Sequence, residues 1–229
     1  MKLGARLAAI AAYVLPGSRV ADIGTDHGYL AAHLAARGDV GFVIAGDVNE
    51  GPLATARELI NNLGLTDKIA VRLGDGLAVV RPEEVDTVVI AGMGGTTMIH
   101  ILTPQTGLAH KLKRLILQPM VGAGTLRLWL VKNGFCLVDE RLVREEGRIY
   151  EIIVAEPGPG TPDNLLSVEF GSLLWEKRDP LLKEYWQQIL AHLQAVQESL
   201  RQSTQGSQHP KYRENMEKML FLKERIRCL

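Results

Sequence analysis

Residues Asp22-Ile23-Gly24-Thr25-Asp26-His27-Gly28 follow directly on a short apolar segment, Arg19–Ile23. An acid closes a strand, glycines turn the backbone tightly, and a helix follows from about Tyr29 to Arg37. A ligand can approach such a turn closely, and the helix start offers backbone N–H groups. A dinucleotide fingerprint needs G-x-G-x-x-G, which clears room for a pyrophosphate. Asp26 holds the second glycine position here. Its carboxylate repels a pyrophosphate and attracts the ammonium of a methionine tail. Asp22 and Asp26 together favour S-adenosylmethionine over NAD.

Two later acids extend the pattern. Val43–Asp47 is a second buried-type strand ending in Asp47, which lies 23 residues after Gly24. At that spacing an acid meets ribose hydroxyls. Ile69–Leu73 is a third strand, followed by Gly74-Asp75-Gly76, where Asp75 can accept from an adenine amine. Each acid also has a plainer explanation. Asp47 can serve the helix that Asn49 and Pro52 open, and Asp75 can simply stabilise a turn. Three acids at three successive strand ends favour one site.

Strand and helix alternate from Arg19 to about Ala155. Strands are expected at Arg19–Ile23, Val43–Asp47, Ile69–Leu73, Val85–Ala91, Arg114–Gln118, Cys136–Val143 and Ile149–Ala155. Helices are expected near Tyr29–Arg37, Pro52–Leu63, Gly94–Leu102 and Gly124–Asn133. The middle strands read as apolar runs covered on both faces. Right-handed crossovers give a doubly wound, Rossmann-like α/β sheet of seven strands. Only Arg144–Arg148 joins the last two strands, which predicts a terminal antiparallel hairpin. Glu156–Pro162, rich in proline and glycine, marks a boundary. It divides a cofactor-binding domain, 1–157, from a C-terminal helical domain, 158–229. In the latter, Leu182, Trp186, Ile189, Leu193, Val196 and Leu200 form a heptad seam. A polar loop follows at Ser203–Pro210. A second helix then carries Tyr212, Met216, Met219, Leu220 and Ile226 on or near one face. An antiparallel, coiled-coil-like helical hairpin is expected.

Composition narrows the function classes. The 26 basic and 26 acidic residues balance, so a nucleic-acid partner must be held by a local patch. The two cysteines, Cys136 and Cys228, have no zinc or disulfide spacing, which fits a reducing cytoplasm, and no metal site is expected. Lys2 and Arg6 before the apolar run Leu7–Leu15 superficially resemble a signal peptide. The run is short and leads straight into the first strand, so an amphipathic helix capping the domain is expected. No stretch is long and apolar enough to span a membrane.

The fourth strand ends in Ala91-Gly92-Met93-Gly94-Gly95-Thr96, a backbone turn with few side chains. It has no Asp or Asn followed by prolines to activate an exocyclic amine. It has no cysteine for covalent cytosine chemistry, and no carboxylate or histidine to act as a base. A ring nitrogen such as adenine N1 needs none of these, because its lone pair is free and its transfer depends on position and desolvation. Gly92 and Met93 are expected to line the cofactor, and Gly94 and Gly95 to meet substrate. Beside the first turn, Tyr29 is a candidate to stack on a base and His27 to orient substrate or cofactor. Gln118, before Pro119-Met120, is a candidate to donate to a base and equally to tie down the turn.

The segments Asp22–Leu30, Gly51-Pro52, Val71–Leu77, Ala91–Gly95, Leu117–Pro119 and Arg148–Ile152 together resemble the bacterial tRNA (adenine-22 N1)-methyltransferase family of class I methyltransferases. The resemblance implies a cytoplasmic enzyme that moves a methyl group from S-adenosylmethionine to N1 of adenine 22 in tRNA. It implies a cofactor pocket of Asp22, Gly24, Asp26, His27, Gly28, Asp47, Asn49, Asp75, Gly76, Gly92 and Met93. The C-terminal hairpin would help to grip the tRNA, and a monomer is favoured. Met120 departs from the family's pattern, where Asn is common. Two other readings compete: a class I methyltransferase acting on a small molecule or protein, and a cofactor-binding module whose helical hairpin docks a protein.

Overall fold

The computed structural model describes residues 2–160, 164–202 and 210–229. Strands β1 (Arg19–Ile23), β2 (Phe42–Asp47), β3 (Ile69–Leu73), β4 (Thr87–Gly94) and β5 (Arg114–Val121) run parallel. A hairpin of β6 (Phe135–Glu145) and β7 (Arg148–Pro157) completes a sheet of order β3-β2-β1-β4-β5-β7-β6. β7 pairs antiparallel with both β5 and β6. This is the expected Rossmann-like sheet with its terminal hairpin.

Alternation along each strand splits the core into two layers. Ala21, Ile23, Val88, Ile90, Leu115 and Leu117 face α4 (Gly95–Leu102), α5 (Thr106–Ala109) and α6 (Ala123–Lys132). Val20, Val43, Val89 and Ile116 face α1 (Ala5–Ala12), α2 (Tyr29–Arg37) and α3 (Glu50–Asn62). The apolar run at the N-terminus is therefore a core helix, with Ile10 fully buried.

The ends of β4 and β5 differ from expectation. Gly92 to Gly94 were expected in a turn, yet they continue β4 and pair with β5 through Met93↔Pro119 and Gly94↔Val121, with register shifts on both sides of Met93. Pro119 has no N–H to give to the ladder, and the irregularity falls opposite it. β5 likewise runs past Gln118 to Val121.

After β7 come two short helices, α7 (Leu165–Glu169) and α8 (Ser172–Glu176), and then α9 (Leu182–Gln202) and α10 (Pro210–Arg227). Thr161, Pro162 and residues 203–209 of the loop expected at Ser203–Pro210 lie outside the described residues, and Pro210, expected in that loop, opens α10. α9 and α10 are antiparallel. Gln197 Nε2 donates to the Tyr212 carbonyl at one end (3.3 Å), and Leu222 packs with Leu182 and Trp186 at the other. The α10 stripe differs from the expected one. Met216 and Leu220 are exposed, whereas Met219 and Leu222 are buried. The seam runs Tyr212, Asn215, Met219, Leu222, Ile226, a 3-4-3-4 spacing that leaves positions 216 and 220 about 100° off the contact line.

A buried charge cluster ties these helices to the sheet. Arg127 of α6 pairs with Glu140 of β6 and Glu151 of β7, and all three are almost fully buried. Arg127 Nη1 donates to the Glu169 carbonyl (3.0 Å), the Leu173 N–H to Glu140 Oε2 (3.0 Å), and the Tyr185 hydroxyl to Glu151 Oε2 (2.7 Å). Three helical segments are thereby fastened to one hairpin.

Candidate active site

A cavity of about 760 Å³ opens at the C-terminal edge of the parallel strands. It lies where the strand order reverses between β1 and β4, the position at which open α/β sheets receive ligands. Its wall includes Asp22, Gly24, Asp26, His27, Tyr29, Asp47, Asn49, Asp75, Gly76, Gly92 and Met93. The three strand-end acids thus converge on one space.

Asp22 is 4% exposed, and no cation pairs with it among the described residues. Burial pushes its carboxyl up to about 6, with the neighbouring Asp47 charge adding to the rise; hydrogen bonds from the Thr25 hydroxyl (2.7 Å) and the Ala31 backbone oppose it. A buried carboxylate without a counter-ion calls for a cation from outside. Asp47 is also buried. Its Oδ2 accepts from the Asp26 N–H (3.2 Å), and its Oδ1 from the Asn49 N–H (2.9 Å) and amide (3.4 Å). Asn49 occupies the N-cap of α3, yet its side chain makes no cap bond and turns back to Asp47. Asp75 precedes the 3-10 turn Gly76–Val79 and likewise makes no side-chain cap bond. Asp47 thus braces the turn into α3 as well as facing the cavity, whereas Asn49 and Asp75 cap no helix through their side chains.

The turns leave no room for larger residues. Gly24 has φ +72°, and a Cβ there would collide with the Met93 methyl, so the β1 and β4 turns meet in contact. Asp26 itself adopts φ +54°, with its carboxylate largely exposed and 3.6 Å from His27 Nε2. His27 and Tyr29 meet edge to face at 6.0 Å, and Tyr29 is 48% exposed at the cavity.

Four expected contact residues stand elsewhere. Gly28 is buried behind the turn, where a Cβ would press on Ala56 at 3.0 Å, so it serves the packing of α2 on α3. Gly94 and Gly95 are outside the cavity wall, and Gly95 packs on the Val121–Gly122 backbone. Gln118 is fully buried, and its amide is committed to protein groups. Oε1 accepts from Arg6 and from the Gly92 N–H, while Nε2 donates to the Pro119 carbonyl. Of the two roles expected for Gln118, these contacts fit the bracing one: it holds the β4 end from behind, with no amide atom turned to a base.

Sequence reasoning missed one side of the cavity. Arg6 and Leu7 of α1, Glu145, Glu146 and Tyr150 of the β6–β7 hairpin, and the half-exposed Met120 form that side, and Thr97, His100 and Ile101 of α4 line the cavity as well. The signal was topological. A hairpin whose second strand runs antiparallel to β5 must set its turn at the C-terminal edge of the parallel strands.

Comparisons with known proteins agree with this geometry. The model of the family TrmK, described as tRNA (adenine(22)-N(1))-methyltransferase, matches residues 20–222. The tRNA (adenine(22)-N(1))-methyltransferase of Bacillus subtilis (strain 168) is 36% identical over 99% of this chain and 98% of its own length. The crystal structure of B. subtilis TrmK superposes with a TM-score of 0.89, covering 98% of this chain and 99% of that one at 36% identity. A Streptococcus pneumoniae protein in complex with S-adenosyl-L-methionine gives 0.85 at 34% identity over 96% and 98% of the two chains. M. capricolum TrmK in complex with S-adenosyl-homocysteine gives 0.83 at 27% identity over 99% and 98%. With the family pattern running through both the sheet and the helical hairpin, the chain belongs to the TrmK family of tRNA (adenine(22)-N(1))-methyltransferases.

Proposed function

We propose that this cavity transfers the methyl group of S-adenosylmethionine to N1 of adenine 22 in tRNA. The observation that carries the reading is Asp22, a buried carboxylate in the wall of the cavity with no cation paired to it among the described residues. Asp22 and Asp26 receive the ammonium of the methionine tail, with Gly24 and His27 beside it. Asp47 and Asn49 hold the ribose hydroxyls. Asp75 and Gly76 meet the adenine edge, and Val48 and Ile101 offer apolar surface to its faces.

Bound there, the cofactor supplies an electrophilic methyl group on a sulfonium. Gly92 and Met93 present a wall without a proton acceptor, which suits an acceptor nitrogen that carries no proton. Tyr29 stacks on the incoming base and His27 fixes its tilt, so that alignment and exclusion of water lower the barrier. The methylated ring is cationic, and the carboxylates of Asp26 and Glu146 at the cavity favour that charge.

The tRNA body meets the helical domain, 158–229, whose exposed Lys183, Arg213, Lys223 and Arg227 suit phosphates. The enzyme works as a monomer in the cytoplasm. Among the described residues no helix is long and apolar enough to cross a membrane.

The test is transfer of labelled methyl from S-adenosylmethionine to unmodified tRNA, with the nucleoside identified by mass spectrometry. Label in N1-methyladenosine at position 22 is expected. Cofactor binding without label in any tRNA would overturn the reading. Charge reversal at Arg213 and Lys223 should weaken tRNA binding and leave cofactor affinity intact. Truncation is the poorer experiment, because Glu169, Leu173 and Tyr185 belong to the buried Arg127 cluster.

A further inference from the structure

Arg6 brings a full positive charge to a cavity that, on the reading above, receives a sulfonium. Its geometry explains why a cation stands there. Nη1 donates to Gln118 Oε1 at 2.7 Å, and the same oxygen accepts from the Gly92 N–H at 3.2 Å. Gln118 is fully buried between them. A Cβ on Gly92 would lie 3.8 Å from Arg6 Nη1, and the next residue, Met93, touches Gly24 of the first turn. Arg6 therefore holds the β4 end through one shared oxygen, and the β4 end bears on the cofactor turn. The guanidinium also lies over the Tyr150 ring, 5.5 Å from its centroid. A planar, permanently charged fork suits this work better than a neutral amide, because charge strengthens the bond to Gln118.

Left alone, that charge would repel a sulfonium in the same cavity. Glu145 answers it. Its Oε2 is 3.7 Å from Arg6 Nε, and its Oε1 accepts the Arg6 backbone N–H at 3.1 Å. The carboxylate lies hard against Gly4, at the start of α1. Both side chains are about three-quarters covered, so water screens the pair only in part. Two elements distant in sequence, α1 and the β6–β7 turn, meet here in one ion pair at the cavity wall, beside the further carboxylate of Glu146.

We infer that Arg6 and Glu145 act as a charge-neutral positioning pair. Arg6 sets the β4 end, and Glu145 cancels the guanidinium so that the cavity accepts a cationic sulfonium. The inference rests on the S-adenosylmethionine reading of the cavity, and it adds a specific electrostatic consequence. S-Adenosylmethionine and S-adenosylhomocysteine differ by a methyl group and the charge on sulfur. The ratio of their affinities therefore reports the local potential, whereas packing damage weakens both alike.

The experiment is calorimetric titration of the full chain with each of the two compounds, for the parent protein and for Glu145→Gln, Arg6→Met, Arg6→Lys and the double variant Arg6→Met/Glu145→Gln. Thermal melts verify folding. Glu145→Gln should shift the affinity ratio against S-adenosylmethionine by about tenfold. Arg6→Met should shift it the opposite way. The double variant and Arg6→Lys should return it to near the parent value. If every folded variant keeps the parent ratio, or if both single variants shift it in one direction, the pair has no electrostatic role and the inference fails. A parent protein that binds neither compound would instead overturn the cofactor reading itself. Should Glu145→Gln fail to fold, Arg6→Met, which should shift the ratio toward S-adenosylmethionine, and Arg6→Lys, which should keep the parent ratio, still decide the matter.

Discussion

Asp22 and Arg127 are both charged residues buried against one sheet, and their surroundings differ in kind. Arg127 has two carboxylates, a backbone carbonyl and, through Glu151, the Tyr185 hydroxyl. Asp22 has one hydroxyl, a backbone N–H and a second acid, and its carboxyl is held up near 6. A buried charge supplied with partners fastens parts of the fold together. A buried charge denied a partner costs stability and marks where an outside cation enters. The first kind is structural and the second, on the reading proposed above, is a binding site, though both look alike in a sequence.

Substitutions test this contrast, beginning with the largest effect. Arg127→Met leaves Glu140 and Glu151 buried and uncompensated, and should cost about 3–5 kcal/mol in urea unfolding. Replacing all three charges by Met and Leu should recover most of that loss. Asp22→Asn should behave oppositely. Folding stability should hold or rise, while S-adenosylmethionine affinity in calorimetry falls by about 2 kcal/mol, the order of a charge-assisted hydrogen bond. A large loss of stability in this variant would erase the distinction between the two regions. Tyr185→Phe removes one hydroxyl from a charged acceptor and should cost about 1.5 kcal/mol of stability, with cofactor affinity unchanged.

The same contrast is sharpened by pH dependence. The folded carboxyl of Asp22 titrates near 6, above its ordinary 3.8, so the folded state holds the proton more tightly than the unfolded chain. Its contribution to stability is full below about pH 4 and is lost as pH rises through about 6. Melting curves of parent and Asp22→Asn should therefore diverge between these values, with the parent losing ground as pH rises. Cofactor affinity should move the other way and weaken as pH falls through 6, because the protonated carboxyl no longer attracts an ammonium.

The cofactor side was legible in the sequence because its signal is local. Strand, acid, glycine and helix follow one another within ten residues at Asp22, and Asp47 and Asp75 recur at the next strand ends. The opposite wall was not legible, since Arg6, Glu145 and Tyr150 meet only after α1 has docked and the terminal hairpin has joined β5. The Arg127 cluster was hidden for a related reason. Charged residues in strands ordinarily alternate outward, and only the packing of α7, α8 and α9 buries Glu140 and Glu151. Gly92 to Gly94 misled in another way. Glycines signal a turn, but here they form an irregular strand end opposite a proline.

The β6 strand carries a consequence of its own. Glu140 anchors the helical domain near its middle, and Glu145 reaches the cavity at its end. Five residue steps along the strand separate them, a span of about 17 Å in a strand paired along its length. For an RNA held at the helices and modified in the cavity, that strand is a ruler. Its length is fixed by backbone hydrogen bonds rather than by side chains, so substitutions on its surface leave the distance from the helix anchor to the cavity unchanged.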